Sequence, residues 1–296
     1  MICRSYAVIL TGVETGADFL TYGIGARPSA MGESYVAACY DVTATYWNPA
    51  GLSKIDEIEF GAMHSEASPT TTLAFFGIAM PMPRLAGVFG MNAILLIYDT
   101  EPIINAYGEY MGDLTWLDWA MTLSFGKKIY SGLSCGAGLK IIQRRESDPY
   151  FGDTKGTAYA ADVGFLYEFH GIPGLSLGTS YLNFGDRIQM EGEKRKDVLP
   201  ETLKIGFAYK TGTMLFITDV NRIVRDRFRI SLGAELETID ILRLRTGFYD
   251  RGGNIKGMTY GLGIILDNFS IDWANLPAGE MIGYSKENRV SVTIRF

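Results

Sequence analysis

The chain has 296 residues, including 35 Gly, 16 Phe, 17 Tyr and 4 Trp, with 47% hydrophobic residues, a mean hydropathy of +0.09 and a formal net charge of −6. The acidic balance and the lack of a basic run exclude nucleic acid as the main partner. No stretch supplies the roughly 18 uninterrupted apolar residues of a transmembrane helix; the richest run, Leu85 to Tyr98, is broken by Gly87, Gly90 and Asn92.

Residues 1–15 come first. Met1-Ile2-Cys3-Arg4 precedes a short apolar run from Tyr6 to Leu10 with no clear cleavage site, so this stretch reads as a residual or atypical export segment. Cys3, Cys39 and Cys135 are odd in number and imply no complete disulfide framework. Residues 16–56 are dense in aromatic and small residues and show no alternation. Within them Asn48-Pro49 makes a good helix start, since Asn caps free N–H groups and Pro is pre-set for the first helical position. Gly51 is expected to end that helix after one turn.

From about Ile58 the dominant signal is period-two alternation, the signature of half-buried strands. Tyr159, Ala161, Val163, Phe165 and Tyr167 share one face, and Ala158, Ala160, Asp162, Gly164, Leu166 and Glu168 the other. Leu203, Ile205, Phe207 and Tyr209 alternate with Lys204, Gly206, Ala208 and Lys210. Phe228, Ile230 and Leu232 alternate with Arg229, Ser231 and Gly233, followed by Glu235. Leu242 and Leu244 alternate with Arg243 and Arg245, and Tyr260, Leu262 and Ile264 with Thr259, Gly261 and Gly263. The apolar faces carry large aromatics and the opposite faces Gly, Ala, Ser and scattered charge. A soluble sandwich would hide the apolar face; strands of about 9–11 residues or more with such faces fit a barrel in a membrane, apolar outside and polar in the lumen. Asp162, Glu168, Arg229, Glu235, Arg243 and Arg245 are the expected lumen charges, paired with one another.

The pattern predicts an all-β, antiparallel barrel of about fourteen strands over residues 57–296, near 57–67, 70–80, 84–98, 114–127, 131–145, 155–170, 174–184, 199–210, 212–220, 226–237, 240–250, 256–266, 268–275 and 287–296. Links after even-numbered strands are tight. Those at 100–113, 146–154, 185–201 and 275–286 are long, and 250–254 reads as a hairpin loop. Outer-membrane barrels carry short turns on the periplasmic side and long loops outside. An even strand count then puts both termini in the periplasm of a bacterial outer membrane.

Gly25-Ala26-Arg27, Met31-Gly32, Tyr35-Val36-Ala37 and above all Ala44-Thr45-Tyr46-Trp47-Asn48-Pro49-Ala50-Gly51-Leu52 resemble the N-terminal signature of PorV/PorQ-type proteins, within the wider FadL-like group of outer-membrane proteins. The resemblance covers residues 16–54 closely and the rest by strand count and loop alternation. It implies a fourteen-stranded barrel whose residues 16–56 fold inward as a plug, or hatch, with Gly25, Arg27, Met31, Gly32, Asn48, Pro49 and Gly51 as its motif. Members often have Gly-Gly after the Met, where this chain has Gly32-Glu33. The final alternating strand ending in Phe296 resembles the signal read by the barrel-assembly machinery.

Two stretches match the G-x-S-x-G hydrolase motif, Gly132 to Gly136 and Gly174 to Gly178, but both lie inside alternating strands rather than on a strand–turn–helix elbow. His64 and His170 are the chain's two histidines. No enzymatic activity, metal or cofactor is expected. By resemblance, the function is passive transport of hydrophobic small molecules across the outer membrane, with an apolar pocket against the hatch. The alternatives are a docking or shuttle component of type IX-like secretion, binding secreted proteins, or a structural barrel that self-associates through its outer loops. Outer-membrane lipid and lipopolysaccharide are the expected surroundings.

Overall fold

A computed structural model describes residues 15–224, 226–252, 255–278 and 286–296. The expected export segment lies outside these residues apart from Thr15, as do parts of the 250–254 and 275–286 links. Among the described residues are fifteen strands: β1 (Glu59–Ser68), β2 (Thr71–Met82), β3 (Gly87–Tyr98), β4 (Glu101–Ile104), β5 (Tyr110–Tyr130), β6 (Leu133–Asp148), β7 (Gly152–Glu168), β8 (Leu175–Gly185), β9 (Thr202–Thr211), β10 (Met214–Ile223), β11 (Arg229–Ile239), β12 (Leu242–Gly252), β13 (Ile255–Leu266), β14 (Phe269–Pro277) and β15 (Lys286–Arg295). All pairings are antiparallel. β3 pairs with β5, and β1 pairs with β15 through Glu59 opposite Arg295, so fourteen strands close into a barrel. β4 pairs only with the start of β5, folding the 100–113 link into a hairpin outside the barrel count.

Alternation sets which side chains face out. Tyr159 and Phe165 on β7 are 60% and 51% exposed, whereas Asp162 between them is 1% exposed. The same holds for Leu203, Ile205 and Phe207 on β9, and for Tyr260, Leu262 and Ile264 on β13, all exposed on a barrel whose inward side is filled. An apolar band running round a closed barrel is stable only against lipid. Membrane crossing rests on these strands; among the described residues no helix is long and apolar enough to cross.

β5, β6 and β7 span 21, 16 and 17 residues, well beyond the 9–11 or so that a tilted crossing needs, and they rise past the apolar band. Their continued pairing turns the expected long link at 146–154 into a tight turn, with Asp148 opposite Gly152. The link between β8 and β9 stays long and is tied down by bridges Gly156↔Met190 and Ile188↔Asp197.

β1 begins and β15 ends at the short-turn end, where the Phe296 N–H donates to the Ile58 carbonyl at 3.0 Å. The first described residues lie at the other end. At Gly16 the chain lies beside the long β8–β9 link, its N–H donating to the Val198 carbonyl at 2.8 Å. Strand parity fixes where β1 starts; residues 16–55 first cross the whole barrel to reach it. Placing Arg at Leu262, in the apolar band, is expected to lower unfolding free energy by about 2–4 kcal/mol. Denaturant unfolding in lipid vesicles measures this, and an unchanged value would mean that this face is not in lipid.

Candidate functional site: the filled lumen and its cavity

Residues 16–55 contact barrel strands all round and are almost wholly buried, so they occupy the lumen. The segment holds only short helical turns, at Asp18–Thr21, Ala26–Ala30, Ala44–Trp47 and Pro49–Lys54. Irregular backbone in a buried place needs partners for its N–H and C=O groups, and inward side chains of the wall supply them. Asp219 on β10 accepts the Tyr35 and Val36 amides at 2.7 and 3.0 Å. Thr259 on β13 accepts the Gly32 amide and donates to the Ala30 carbonyl. Ser291 on β15 accepts the Ala26 amide at 2.7 Å, and Glu59 on β1 the Val42 amide at 2.8 Å. Ser176 and Ser180 on β8 donate to the Ala37 and Trp47 carbonyls. Thus the serine of the second G-x-S-x-G stretch anchors the segment. His170 bonds Ser131, outside both motifs.

Asn48 joins three pieces. Its amide nitrogen donates to the carbonyls of Val36 (2.9 Å) and of Phe165 on β7 (3.0 Å), and its oxygen accepts the Ala50 amide at 3.1 Å. Two donors and one acceptor in one short side chain are what this position uses, which an aspartate could not supply. Gly51 does not end the turn. It sits inside Pro49–Lys54, and its absent side chain makes room for the Cys39 carbonyl, 2.0 Å from where a Cβ would be. Cys39 itself is wholly buried.

The wall receives the segment at paired inward glycines. Gly126, Gly136 and Gly164, adjacent on β5, β6 and β7, lie under the Asn48-Pro49 turn. Gly178 and Gly206 lie under Val36, Gly233 and Gly247 under Met31-Gly32, and Gly61 and Gly77 under Val42. Gly32 and Glu33 both adopt left-handed backbone, at φ +68° and +58°. The carboxylate of Glu33 meets Arg289 at 3.0 Å, an anchor that a second glycine could not provide.

Buried charges follow the same logic. Arg27 grips Glu235 bidentately at 2.9 Å, and Glu235 and Asp272 both bind Arg245 at 2.6 Å. Arg27 also donates to the Tyr35 hydroxyl, which donates to Asp41. Arg289, wholly buried, donates to Gly23, Ser29, Glu33 and Glu287. Asp162 pairs with Lys140, Glu168 with Lys54 and Arg229 with Asp226. Arg243 faces inward only at the short-turn end, where it binds the Ile239 and Asp240 carbonyls near Glu237. At the opposite end, burial pushes the Asp18 carboxyl up to about 6, opposed by the Thr15 hydroxyl and by Arg144.

Of the sequence-predicted residues, Arg27, Glu235 and Arg245 meet in one network; Asn48, Pro49 and Gly51 form the anchor turn; Asp162, Glu168, Arg229 and Arg243 lie in separate pairs. The reading of the sequence missed Asp219, Thr259, Arg289, Ser291 and Arg251. Their one signal was a polar residue on the inward parity of an apolar-alternating strand.

Above the segment, towards the long-loop end, lies a small cleft that is partly open to solvent. Leu20, Glu33 and Tyr46 form its floor, and Asn183, Lys204, Arg229, Tyr249 and Arg251 line its walls. Most of the lining is polar, against the expectation of an apolar pocket. The β8 wall bulges here: Asn183 has φ +61°, and the β7–β8 register shifts between Ala161 and Val163.

Neither a protein-family model nor a curated protein matches the sequence. Solved structures do match the fold. The toluene transporter TbuX of Ralstonia pickettii aligns over 94% of this chain and 100% of its own, with TM-score 0.67 and 15% identity. The toluene transporter TodX of Pseudomonas putida aligns over 92% and 98%, with TM-score 0.68 and 13% identity. A FadL homologue of Pseudomonas aeruginosa aligns over 96% and 98%, with TM-score 0.60 and 11% identity. The fourteen-stranded architecture is therefore that of FadL-like barrels, at identities that speak for fold alone.

Gly164→Ala places a methyl group where the Asn48 oxygen sits, 2.0 Å from the new Cβ. The expected cost is about 1–3 kcal/mol in denaturant unfolding. Asn48→Asp, which removes both donors, is expected to cost about 1–3 kcal/mol as well. Wild-type stability in both variants would mean that the turn does not hold the segment to the wall.

Proposed function

We propose that the protein is a passive transporter of the bacterial outer membrane, carrying a small molecule through the barrel, with residues 16–55 as a hatch that must shift to let it pass. The carrying observation is the match along nearly the whole length of both chains to barrels named as toluene transporters. The lumen supports the reading. It is blocked along its length by a segment with little secondary structure of its own, held by side-chain bonds that can be exchanged one at a time. A cavity opens above that block on the long-loop side, where a cargo arriving from outside would first dock. The apolar band faces outer-membrane lipid, with the short turns in the periplasm, and the strand ending in Phe296 is the part offered to the barrel-assembly machinery.

Bonding of the Ala26 amide to the Ser291 hydroxyl at 2.7 Å brings the segment and β15 close enough for a bridge. In a background with the native cysteines replaced, the Ala26→Cys, Ser291→Cys pair is expected to abolish solute uptake into proteoliposomes when oxidised and to restore it on reduction. Equal uptake in both states would sink the hatch. Deleting residues 16–54 is expected to leave a barrel that folds and gains ion conductance in planar bilayers; failure to assemble would make the segment a structural core instead.

A further inference from the structure

Six cationic side chains are buried in the described barrel: Lys140, Lys204, Arg229, Arg245, Arg251 and Arg289. Lys140, Arg229, Arg245 and Arg289 each have a carboxylate within 4.0 Å. Lys204 and Arg251 have none among the described residues, and both line the cavity above the segment.

Arg251 is 7% exposed, and its Nε has no hydrogen-bond partner. One long bond of 3.5 Å joins its Nη2 to the Thr21 carbonyl. Its guanidinium carbon lies 4.2 Å from the Tyr22 ring centre and 5.7 Å from that of Tyr249. Lys204 is 9% exposed, with its ammonium 4.8 Å over the Trp47 ring. The acids nearby are engaged elsewhere. Glu33 binds Arg289, Asp219 takes the Tyr35 and Val36 amides, and Asp250 takes the Gly252 amide and pairs with Arg227. Asp219 acts on Lys204, and Glu33 on Arg251, only from beyond 4.0 Å, and the aromatic faces attract a cation weakly compared with a carboxylate, so neither cation has an acid in direct contact. Burying a charge in this way is costly unless something of opposite sign completes the site.

We infer that the cavity is an oxyanion site, and that its cargo is a small hydrophilic molecule bearing a carboxylate or a phosphate. The planar guanidinium of Arg251 offers a fork that matches two oxygens of such a group, and Lys204 adds a point charge from a neighbouring wall. Asn221, Ser231 and Tyr249 add polar side chains for the remainder of such a molecule, beside Asn183 and Thr202, which bond Lys140 and the Pro200 carbonyl. A hydrocarbon would leave the Arg251 fork and the Lys204 ammonium without an anion in contact. The cargo class thus departs from that in the names of the toluene transporters. It rests on the transport reading only in treating this cavity as the cargo's first station.

Calorimetric titration of the full chain in detergent with inorganic phosphate, with benzoate and with toluene tests the inference. Saturable binding of phosphate alone points to a phosphate group and of benzoate alone to a carboxylate; either result, or both, supports an oxyanion site. Arg251→Gln and Lys204→Gln are each expected to weaken that binding about tenfold or more, with Arg251→Lys between them and the wild type. Heat-modifiable gel mobility reports that each variant is folded. Absence of anion binding, unchanged anion affinity in folded Arg251→Gln and Lys204→Gln, or toluene binding that those variants leave intact would overturn it. The disulfide tether reads transport separately, so an oxyanion site in an immobile plug and a working hatch with another cargo give different pairs of results.

Discussion

A polypeptide without regular secondary structure, enclosed by a closed barrel, must find a partner for every backbone polar group it carries. That constraint explains most of what is placed on the inner wall. Asp219, Thr259, Ser291, Glu59, Ser176 and Ser180 come from five different strands, yet each meets an amide or carbonyl of residues 26–47. The wall does for the segment what a neighbouring strand would do in a sheet. Glycine pairs on adjacent strands let the two backbones approach at the points of contact.

The charges obey a stricter version of the same rule. Most carboxylates and guanidiniums in the lumen are matched, and the matches join wall to segment: Arg27 to Glu235, Glu33 to Arg289, Lys54 to Glu168. Removing one member of such a pair strands the other. Lys204 and Arg251 stand out in such a barrel because no carboxylate touches them and they share a cleft.

The fold was legible because strand period and lipid contact write the same alternation along the chain. Tyr159, Phe165 and Leu262 faced out as their parity demanded, and the fourteen barrel strands fell close to their expected positions. The length of β5 to β7 was not legible, since polar alternation above the membrane looks like loop composition. The interior was harder. The Asn48 turn stood out only through resemblance to a family, and the reason for its asparagine, two carbonyls and an amide arriving from three places, is invisible in one dimension. Glycines read as bends or generic wall positions prove to be contact surfaces, because their role depends on which strands become neighbours. Lys204 looked like any inward polar residue, and Arg251 like part of a hairpin loop, whereas β12 runs through it to Gly252. What sets them apart is that no acid touches them, and a missing contact leaves no mark in a sequence.

The segment that fills the lumen precedes every strand in the chain, while Arg289 and Ser291, which hold it, belong to the last. Ala26 and Ser291 are 265 residues apart and in direct contact. β15 is also the strand that zips to β1 and shuts the barrel. The final strand thus closes the seam with one edge while its inner face grips the earliest described part of the chain. Contacts of such sequence separation form slowly, since a long loop must be closed before they contribute. In the intact chain the last strand therefore has two tasks, sealing the cylinder and clasping its centre.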